Sequence, residues 1–456
     1  MQTSVPSAAP EGALSAISLS EAFGYWLKLG FISFGGPGGQ IALMHYDLVD
    51  KKRWISEQRF LHALNYCMLL PGPEAMQLAT YIGWLMHRTV GGLMAGALFV
   101  LPSLLILIAL SWIYLAFGDV PVVAGILYGI KPAVVAIVLA AAWRIGRRSL
   151  KNGWLVTIAL LAFALITFID APFPAVIGIA ALLGAVGGQL APDRFRLGGG
   201  HAATHPTHAP ALIDDHTPPP AHARFSWRKL LITAGIGIAI GAVVLLLLNL
   251  ALGWRNPLVQ MGWFFTKAAL MTFGGAYAVL PYVYQGAVEN FSWLTAAQMI
   301  DGLALGETTP GPLIMIVSFV GFVGGWSKEV FGPLSLFWSG CAGALVATFF
   351  TFLPSFVFIL AGGPLVEATR DNLKLTAPLT AITAAVVGVI VSLATFFAMH
   401  VFHLELPPAR WDWIAIAIAA AAALALLRYQ VSTIRLIIAC AVAGLVVSYL
   451  PIRPAF

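Results

Sequence analysis

The chain has 456 residues, of which 60% are hydrophobic and only 10% are charged, and its mean hydropathy is +0.89. Soluble domains carry about 25% charged residues, so this composition excludes them and indicates an integral membrane protein. The apolar runs are long and continuous, which predicts membrane helices and not the ~10-residue alternating strands of a barrel. The formal net charge of +6 does not indicate nucleic-acid binding, because the basic residues flank apolar segments as they do in bilayer proteins.

The chain begins with a polar tail, residues 1–18, which has no apolar core and is not a signal peptide. The first long unit, residues 19–191, carries two glycine and proline runs within apolar sequence, at 34–38 and at 71–73. Proline removes a helical hydrogen bond and glycine loosens the backbone, so each run predicts a helix that is broken or turns back inside the membrane.

A polar segment, residues 192–229, follows the first unit and is rich in proline and histidine. We interpret it as a disordered cytoplasmic linker, although its five histidines leave metal binding open. Residues 230–252 predict one further transmembrane helix, and a second long unit covers residues 258–450.

The second unit repeats the first. Its runs at 273–275 and 310–312 follow those of the first unit at one offset of 239 residues, as 273−34 and 310−71 show. Trp54 and Trp293 obey the same offset, and both predict anchors at the membrane interface. A Leu-Pro-Ser run recurs at 101–103 and 353–355, now at an offset of 252, so the second unit carries a 13-residue insertion (252−239). Duplicated broken helices are typical of secondary transporters.

Charged residues suggest that the two units have opposite orientations. In the first unit and linker, basic residues cluster at 51–53, 144–151 and 224–229, which predicts that these segments and the N-terminus are cytoplasmic. The matching segments of the second unit are not basic, whereas its residues Arg370, Lys374, Arg428 and Arg435 have no basic counterparts in the first unit. This reversal predicts an inverted-topology repeat.

The same charges constrain how the segments cross the membrane. Three apolar segments, 60–86, 92–117 and 121–143, separate two basic clusters that both lie on the cytoplasmic side. Only two of the three can then cross, so 60–86 is predicted to turn back at its Pro-Gly-Pro run. Four crossings in each unit and the linker helix give nine crossings, with four re-entrant hairpins. A topology in which every segment spans the membrane remains open.

The breaks are the candidate substrate site, because helix N-termini that meet inside a membrane favour an anion. Lys28 and Lys267 each precede a glycine pair by seven residues and predict ligands for a dianion, unless they extend to the interface. Glu74 and Glu307 are candidates for proton coupling. The predicted substrate-binding residues are Lys28, Gly35, Gly36, Pro37, Gly38, Pro71, Gly72, Pro73, Gln77, Lys267, Gly274, Gly275, Thr309, Pro310, Gly311 and Pro312.

No catalytic or cofactor site is predicted. The cysteines, Cys67, Cys341 and Cys440, stand singly in apolar runs, which is typical of packed side chains. The sequence contains no HExxH motif, no paired acidic motif and no ATP-binding P-loop. We therefore expect a protein that is not an enzyme and holds neither a metal nor a cofactor.

The paired runs carry a resemblance to a known family. The Phe-Gly-Gly-Pro run at 34–37 with Gln40, and the Leu-Pro-Gly-Pro run at 70–73 with Gln77, resemble the chromate ion transporter family in its long, two-domain type. The second unit supplies the matching runs at 273–275 and 309–312, with Ala276 where the first unit has Pro37.

This resemblance implies an all-α polytopic membrane protein of two inverted repeats, with broken or re-entrant helices around a central site. It implies export of chromate across the inner membrane of a bacterium, which gives chromate resistance. The alternatives that it leaves open are transport of sulfate or another oxyanion, and an anion channel on the same fold. The partners expected are an oxyanion and the lipid bilayer, with a homodimer left open.

Overall fold

The computed structural model describes residues 17–118, 120–191, 211–215, 217, 220–368, 376–404 and 410–449, and it is helical almost throughout. In the first unit the helices are α1 (Leu19–Ile32), α2 (Gly36–His45, continued by a π-helical turn Tyr46–Lys51), α3 (Glu57–Cys67), α4 (Glu74–Phe117), α5 (Pro121–Ser149), α6 (Gly153–Ile169) and α7 (Phe173–Leu190). A single helix, α8 (Trp227–Leu252), connects the two units.

The second unit has the same order of elements. Its helices are α9 (Pro257–Leu270), α10 (Ala276–Tyr284, continued by a π-helical turn Gln285–Asn290), α11 (Ala296–Thr308), α12 (Ile316–Ser327, preceded by a 3-10 turn Leu313–Met315), α13 (Leu336–Ala368), α14 (Thr376–Phe402), α15 (Trp413–Leu427) and α16 (Thr433–Tyr449). Two strands of two residues each, β1 (His403–Leu404) and β2 (Arg410–Trp411), pair between α14 and α15.

Six helices of the described residues are long and apolar enough to cross a membrane, and four shorter apolar helices accompany them. The chain is therefore an all-α, multi-pass membrane protein, as its composition predicts. The nine predicted crossings would be α5–α8, α13–α16 and the second arm of α4, and this count stays a prediction. The helix α4 has two arms because it is interrupted at His87 and Arg88.

The first unit contains two helical hairpins that fold back on themselves. At its start, Glu21 lies 3.6 Å from Lys52 after α2, and the Ile17 carbonyl lies 2.9 Å from His87 Nε2 at the interruption of α4. The beginning of α1, the end of α2 and the end of the first arm of α4 thus meet on one side. The α1–α2 pair and the pair of α3 with that first arm therefore both turn at the motif runs.

The helices form two groups. In the motif group, α1 packs against α4, α9 against α13, and α4 and α13 pack against each other, with α8 on the outside. In the second group, α5 packs against α14, α15 and α16, and α14 packs against α6 and α7. The turns of all four hairpins belong to the motif group.

The prediction that Trp54 and Trp293 are interface anchors is wrong. Their exposed fractions are 5% and 1%, because each ring packs against the first helix of its own unit, α1 or α9. Trp54 meets the edge of the Tyr25 ring at 5.2 Å, and Trp293 stacks on Phe291 at 4.6 Å.

The segment predicted as a disordered linker is described only in part, and this part is ordered. Ile213 pairs with Ile55, the Ser56 hydroxyl donates to Asp215, and Arg59 donates to the Thr217 carbonyl. Disorder therefore does not describe residues 211–228 where the structure covers them. The histidines at 201, 205, 208 and 216, the tail 1–16 and the pair Arg370 and Lys374 lie outside the described residues.

Candidate functional site

The motif runs of the two units cross each other at the centre of the motif group. The Gly72 amide donates to the Thr272 carbonyl at 2.7 Å, and the Gly311 amide donates to the Ser33 carbonyl at 2.8 Å. Gly311 stands 239 residues after Gly72 (311−72), and Thr272 stands 239 after Ser33 (272−33). The two bonds are thus the same contact made twice, which is the pattern of a two-fold relation between repeats.

This crossing requires glycine. Gly72 and Gly311 have φ of 128° and 99°, values that side-chain-bearing residues rarely adopt. A Cβ at Gly72 would overlap Ser355 Oγ and Gln77 Nε2, and one at Gly311 would lie 3.0 Å from Ser103 Cβ. Ser103 and Ser355 are themselves equivalent by the 252 offset, so each turn lies against the serine of the other unit.

Two buried glutamines satisfy backbone carbonyls at the crossing. Gln40 Nε2 donates to the Ser33 carbonyl at 3.1 Å and to the Gly311 carbonyl. Gln77 Nε2 donates to the Pro71 carbonyl at 2.8 Å and to Ser355 Oγ at 3.3 Å. A broken helix leaves such carbonyls without helical partners, so both glutamines hold the breaks in shape. Gln77, predicted as a substrate ligand, therefore has its amide hydrogens directed at protein atoms.

Helices that begin at the breaks lack side-chain caps. No side chain caps α2 after Gly35, α4 after Pro73, α10 after Gly275 or the 3-10 turn after Pro312. The other four hairpin helices begin away from the breaks, and all are capped: α1 by Ser18, α3 by Ser56, α9 by Asn256 and α11 by Thr295. The amides that lack a cap are the ones directed at the crossing, where they can bind an anion.

The remaining predicted motif residues lie around these helix starts. Gly36 and Pro37 are in the first turn of α2, and Gly274 and Gly275 form the break before α10 with φ of 81° and 98°. Thr309 is 6% exposed, and its hydroxyl donates to the Gly306 carbonyl and lies 3.5 Å from Ser103 Oγ. The turn residues Pro73, Pro310 and Pro312 are buried, and Pro71 is half-buried.

Both acidic candidates lie next to the crossing, but their surroundings differ. Glu307, at the end of α11, accepts a hydrogen bond from the Tyr277 hydroxyl on α10. Arg144 of α5 lies within electrostatic range of Glu307, and Arg148 of the same helix lies within range of Glu74. Of the basic residues clustered at 144–151, Arg144, Arg147 and Arg148 lie in the last two turns of α5, which ends at Ser149.

The two lysines do not join this cluster. Lys28 is exposed on the outer face of α1, and Lys267 is half-exposed on α9 with its Nζ 5.7 Å from the centre of the Trp263 ring. The adjoining residues Phe31 and Trp263 are 51% and 48% exposed, so both lysines lie on outward faces. The structure therefore separates Lys28 and Lys267 from the buried crossing.

The two sides of the crossing differ in how closely they are covered. Gly35, Gly38 and Gly39 of α2 are exposed, whereas the equivalent α10 is covered by α14 and α7. Tyr277 of α10 occupies the position of Gly38, as 277−38 gives the 239 offset. The first unit thus presents an open glycine surface where the second presents a packed tyrosine.

Sequence reasoning missed an ion pair between α5 and α11, of which only the aspartate is buried. Lys131 of α5 lies 3.4 Å from Asp301 of α11. Each residue is a single charge within an apolar run, and 170 residues (301−131) separate the two. A lone charge inside a predicted membrane segment was the available signal, since such charges face protein or a cavity and have partners.

Comparison with known proteins places the chain in a family. The pattern of the chromate transporter family matches residues 20–185 and 259–445. A chromate transport protein of Pseudomonas aeruginosa is 33% identical over 393 residues, which cover 84% of this chain and 83% of that protein. A chromate transport protein of Cupriavidus metallidurans is 30% identical over 370 residues, 80% of this chain and 79% of that protein.

A probable chromate transport protein of Synechococcus elongatus is 28% identical over 86% of this chain and 87% of its own. No solved structure matches the chain. The two family matches contain the paired runs and all eight hairpin helices except the first residues of α1 and α9. The chain therefore belongs to the chromate transporter family.

Proposed function

We propose that this protein is a secondary transporter that exports chromate from the cytoplasm, with the substrate bound where the two Pro-Gly-Pro turns cross the helix breaks. The observation that carries the proposal is the reciprocal pair of bonds from Gly72 to Thr272 and from Gly311 to Ser33. This contact brings four uncapped helix starts into one small region. Their amide groups supply partial positive charge for a tetrahedral dianion.

The first unit provides the route to this region. Its glycine surface, Gly35 with Gly38 and Gly39, is exposed, and the arginines Arg144 and Arg148 of α5 are exposed as well. Arginine is well suited to oxyanions because its planar group donates two parallel hydrogen bonds. Arg148 and Arg144 also act electrostatically on Glu74 and Glu307, so a bound oxyanion near the arginines would change the charge balance at both carboxylates.

We place the open side in the cytoplasm. The basic residues 51–53 end the first unit's α2 region on that side, and positive charge accumulates in cytoplasmic segments. The reciprocal contact supports a two-fold relation between the units, and the reversed charge bias favours an axis in the membrane plane, which inverts the second unit.

The membrane potential supplies a driving force for export. A dianion that leaves a cell with a negative interior gains about 2.3 kcal/mol per charge for each 100 mV. Resistance to chromate follows if this efflux exceeds entry. Glu74 and Glu307 are then the candidates for an added proton step, because each interacts electrostatically with an arginine of α5.

The test is transport of purified protein in liposomes. We expect saturable chromate uptake that unlabelled chromate on the opposite side accelerates, since counterflow is a property of carriers. Unitary currents without counterflow would instead show an anion channel. Competition by sulfate, molybdate and phosphate at several pH values would rank the oxyanions, and absence of any chromate flux would reject the proposal.

A further inference from the structure

An ion pair between the buried Asp301 and the partly exposed Lys131 joins the two helix groups on the side of the second unit. Asp301 of α11 is 3% exposed, and its Oδ2 lies 3.4 Å from Lys131 Nζ of α5. The Tyr114 hydroxyl of α4 donates to the same oxygen at 2.9 Å. The other oxygen, Oδ1, is buried and has no hydrogen-bond partner within the described residues.

This arrangement is a poor device for stability alone. Desolvation of the buried Asp301 carboxylate offsets much of its attraction to Lys131, and its unpartnered oxygen adds to that penalty. Ionisable groups inside a membrane protein are retained where they serve a pathway or a change of state. Neither Lys131 nor Asp301 takes part in the described hydrogen bonds of the crossing, which are made by the backbone and by Gln40 and Gln77.

The equivalent positions in the other halves do not form this contact. Asp301 corresponds to His62 (301−239), and Lys131 corresponds to Thr383 (383−252). His62 Nε2 lies 2.9 Å from the Val366 carbonyl, and the Thr383 hydroxyl bonds to the Leu379 carbonyl of its own helix. The polar connection between the groups is thus made on the side of the second unit.

Packing follows the same division. On the side of the second unit, α11 packs against α5 and α16, and α10 packs against α14 and α7. Across the described residues, α2 and α3 make no comparable contact with the second group. Ala304 of α11 is 1% exposed, whereas the equivalent Asn65 of α3 is exposed (304−65 = 239).

A second polar contact between the two helix groups lies on the same side, at Gln285. The Gln285 side chain accepts a hydrogen bond from the Phe173 amide at 3.1 Å and donates to the Ala171 carbonyl at 3.4 Å. Its equivalent in the first unit, Tyr46, is 57% exposed. Two polar contacts therefore join the helix groups on one face of the molecule, and among the described residues the equivalent positions on the other face form no such contact.

We propose that Lys131, Asp301 and Tyr114 form a latch that keeps the periplasmic face closed and opens when the site turns outward. In a molecule of two equivalent units, exchanging the two packings opens one face and closes the other. The face held by an ion pair is closed more firmly than the face whose equivalents are His62 and Thr383. The latch thus biases the resting protein toward the cytoplasm-facing state. Naming the two faces rests on the proposed function and its topology, whereas the latch itself does not.

The test measures accessibility without chromate, so it is independent of whether chromate is the substrate. The test uses a protein in which Cys67, Cys341 and Cys440 are changed to alanine. A single cysteine is then introduced on the face of the second unit by Ala304→Cys, or on the face of the first unit by Asn65→Cys. With the latch intact, we expect a membrane-impermeant maleimide to label Asn65→Cys from the cytoplasmic side and to leave Ala304→Cys unlabelled from either side.

Neutralising both partners, Lys131→Met with Asp301→Asn, should release the latch and avoid a buried unpaired charge. We expect Ala304→Cys labelling from the periplasmic side to rise by at least about fivefold, and Asn65→Cys labelling to fall. A charge exchange, Lys131→Asp with Asp301→Lys, should restore the protection of Ala304→Cys. Tyr114→Phe removes only one hydrogen bond to Asp301 and should also increase the labelling of Ala304→Cys. It replaces the double variant if that protein cannot be produced.

Unchanged labelling of Ala304→Cys in the neutralised protein and in Tyr114→Phe would overturn the latch and leave the pair a packing feature. Labelling from the cytoplasmic side instead would keep the latch and reverse the proposed topology.

Discussion

At the scale of single residues, the molecule depends most on the glycines of the two turns. An alanine at Gly72 must adopt a φ of 128° and would overlap Ser355 and Gln77, whereas at Gly311 the nearest atom is 3.0 Å away. Gly153 offers a control, since a Cβ there meets nothing within 4 Å and its φ is ordinary.

We therefore expect chromate uptake to fall most in Gly72→Ala, less in Gly311→Ala and least in Gly153→Ala. Strain at a positive φ costs about 1–3 kcal/mol, which predicts a clear loss of chromate uptake at equal protein level for Gly72→Ala. Uptake by each variant in liposomes, normalised to reconstituted protein, is the measurement. Equal activity of Gly72→Ala and Gly153→Ala would show that the crossing is not required.

The lysines make the opposite prediction. Lys28 and Lys267 lie on outward faces, and changes at exposed positions usually alter free energies by no more than about 0.5 kcal/mol. We expect the double variant Lys28→Gln with Lys267→Gln to keep chromate uptake within roughly twofold of the unaltered protein. Arg144→Gln with Arg148→Gln is the comparison, and there the affinity should fall. A strong loss in the lysine variant alone would make the lysines substrate ligands after all.

Sequence reasoning at this scale succeeded where a residue has a local reason to be what it is. The glycines and prolines of the runs were found because helix breaks demand them, and all six glycines at 35, 36, 72, 274, 275 and 311 have positive φ. Asp301 and Lys131 were missed because their partners come from distant segments. Trp54 was misplaced because an interface tryptophan and a buried one have the same sequence environment.

At the scale of elements, the helix breaks lie where the sequence predicts them. The linker between the two units differs from its prediction, because its described part is ordered. Each break is stabilised by the opposite unit, so a helix pair that is incomplete alone becomes complete on assembly. The described end of the linker instead lies across the first unit's hairpins, where Ile213 pairs with Ile55 and His222 Nε2 lies 3.0 Å from the Trp84 carbonyl. Proline-rich composition gave no sign of this docking, because backbone pairing at 53–56 depends on the fold.

The docked linker should respond to pH through His222. Burial lowers the pKa of the His222 imidazole below its ordinary value of 6.5, with Arg88 and Lys229 acting in the same direction. The undocked form thus takes up a proton more readily, so docking is fully stabilised above about pH 6.5 and weakens as the pH falls toward the lowered pKa.

Hydrogen exchange of residues 211–223, corrected for the intrinsic rate, should therefore increase as the pH is lowered from 7 to 5. His222→Gln keeps a donor for the Trp84 carbonyl and should remove most of this dependence. Slower corrected exchange at pH 5 than at pH 7 would contradict the assignment.

At the scale of the whole molecule, the crossing is symmetric, whereas the packing between the two helix groups is not. The reciprocal bonds at the crossing obey the 239 offset and join the two units at the proposed substrate site. The contacts between helix groups break the symmetry, since α10 and α11 are covered and α2 and α3 are not. If the crossing binds the substrate, one open face and one closed face are the arrangement that we propose for a carrier.

The duplication, the all-α class and the positions of the breaks were predictable from the sequence because each depends on local runs of apolar residues, glycine and proline. The asymmetry was not predictable, since the two units have the same pattern of runs and apolar segments. It arises from pairs such as Gln285 with Phe173, whose partners lie in different units. That Arg144 and Arg148 lie at the end of α5 was not predictable either, because helix ends and loops carry the same basic residues.

The central claim is that an oxyanion crosses the membrane at the crossed turns, moving outward from the cytoplasm. Uptake of radiolabelled chromate into inside-out vesicles tests it most directly, with an imposed interior-positive potential and with the protein unaltered, as Gly72→Ala or as Gly153→Ala. We predict saturable uptake that the potential increases, that is retained in Gly153→Ala and that is lost in Gly72→Ala. Uptake that is absent from the unaltered protein, or equal in all three, would contradict it.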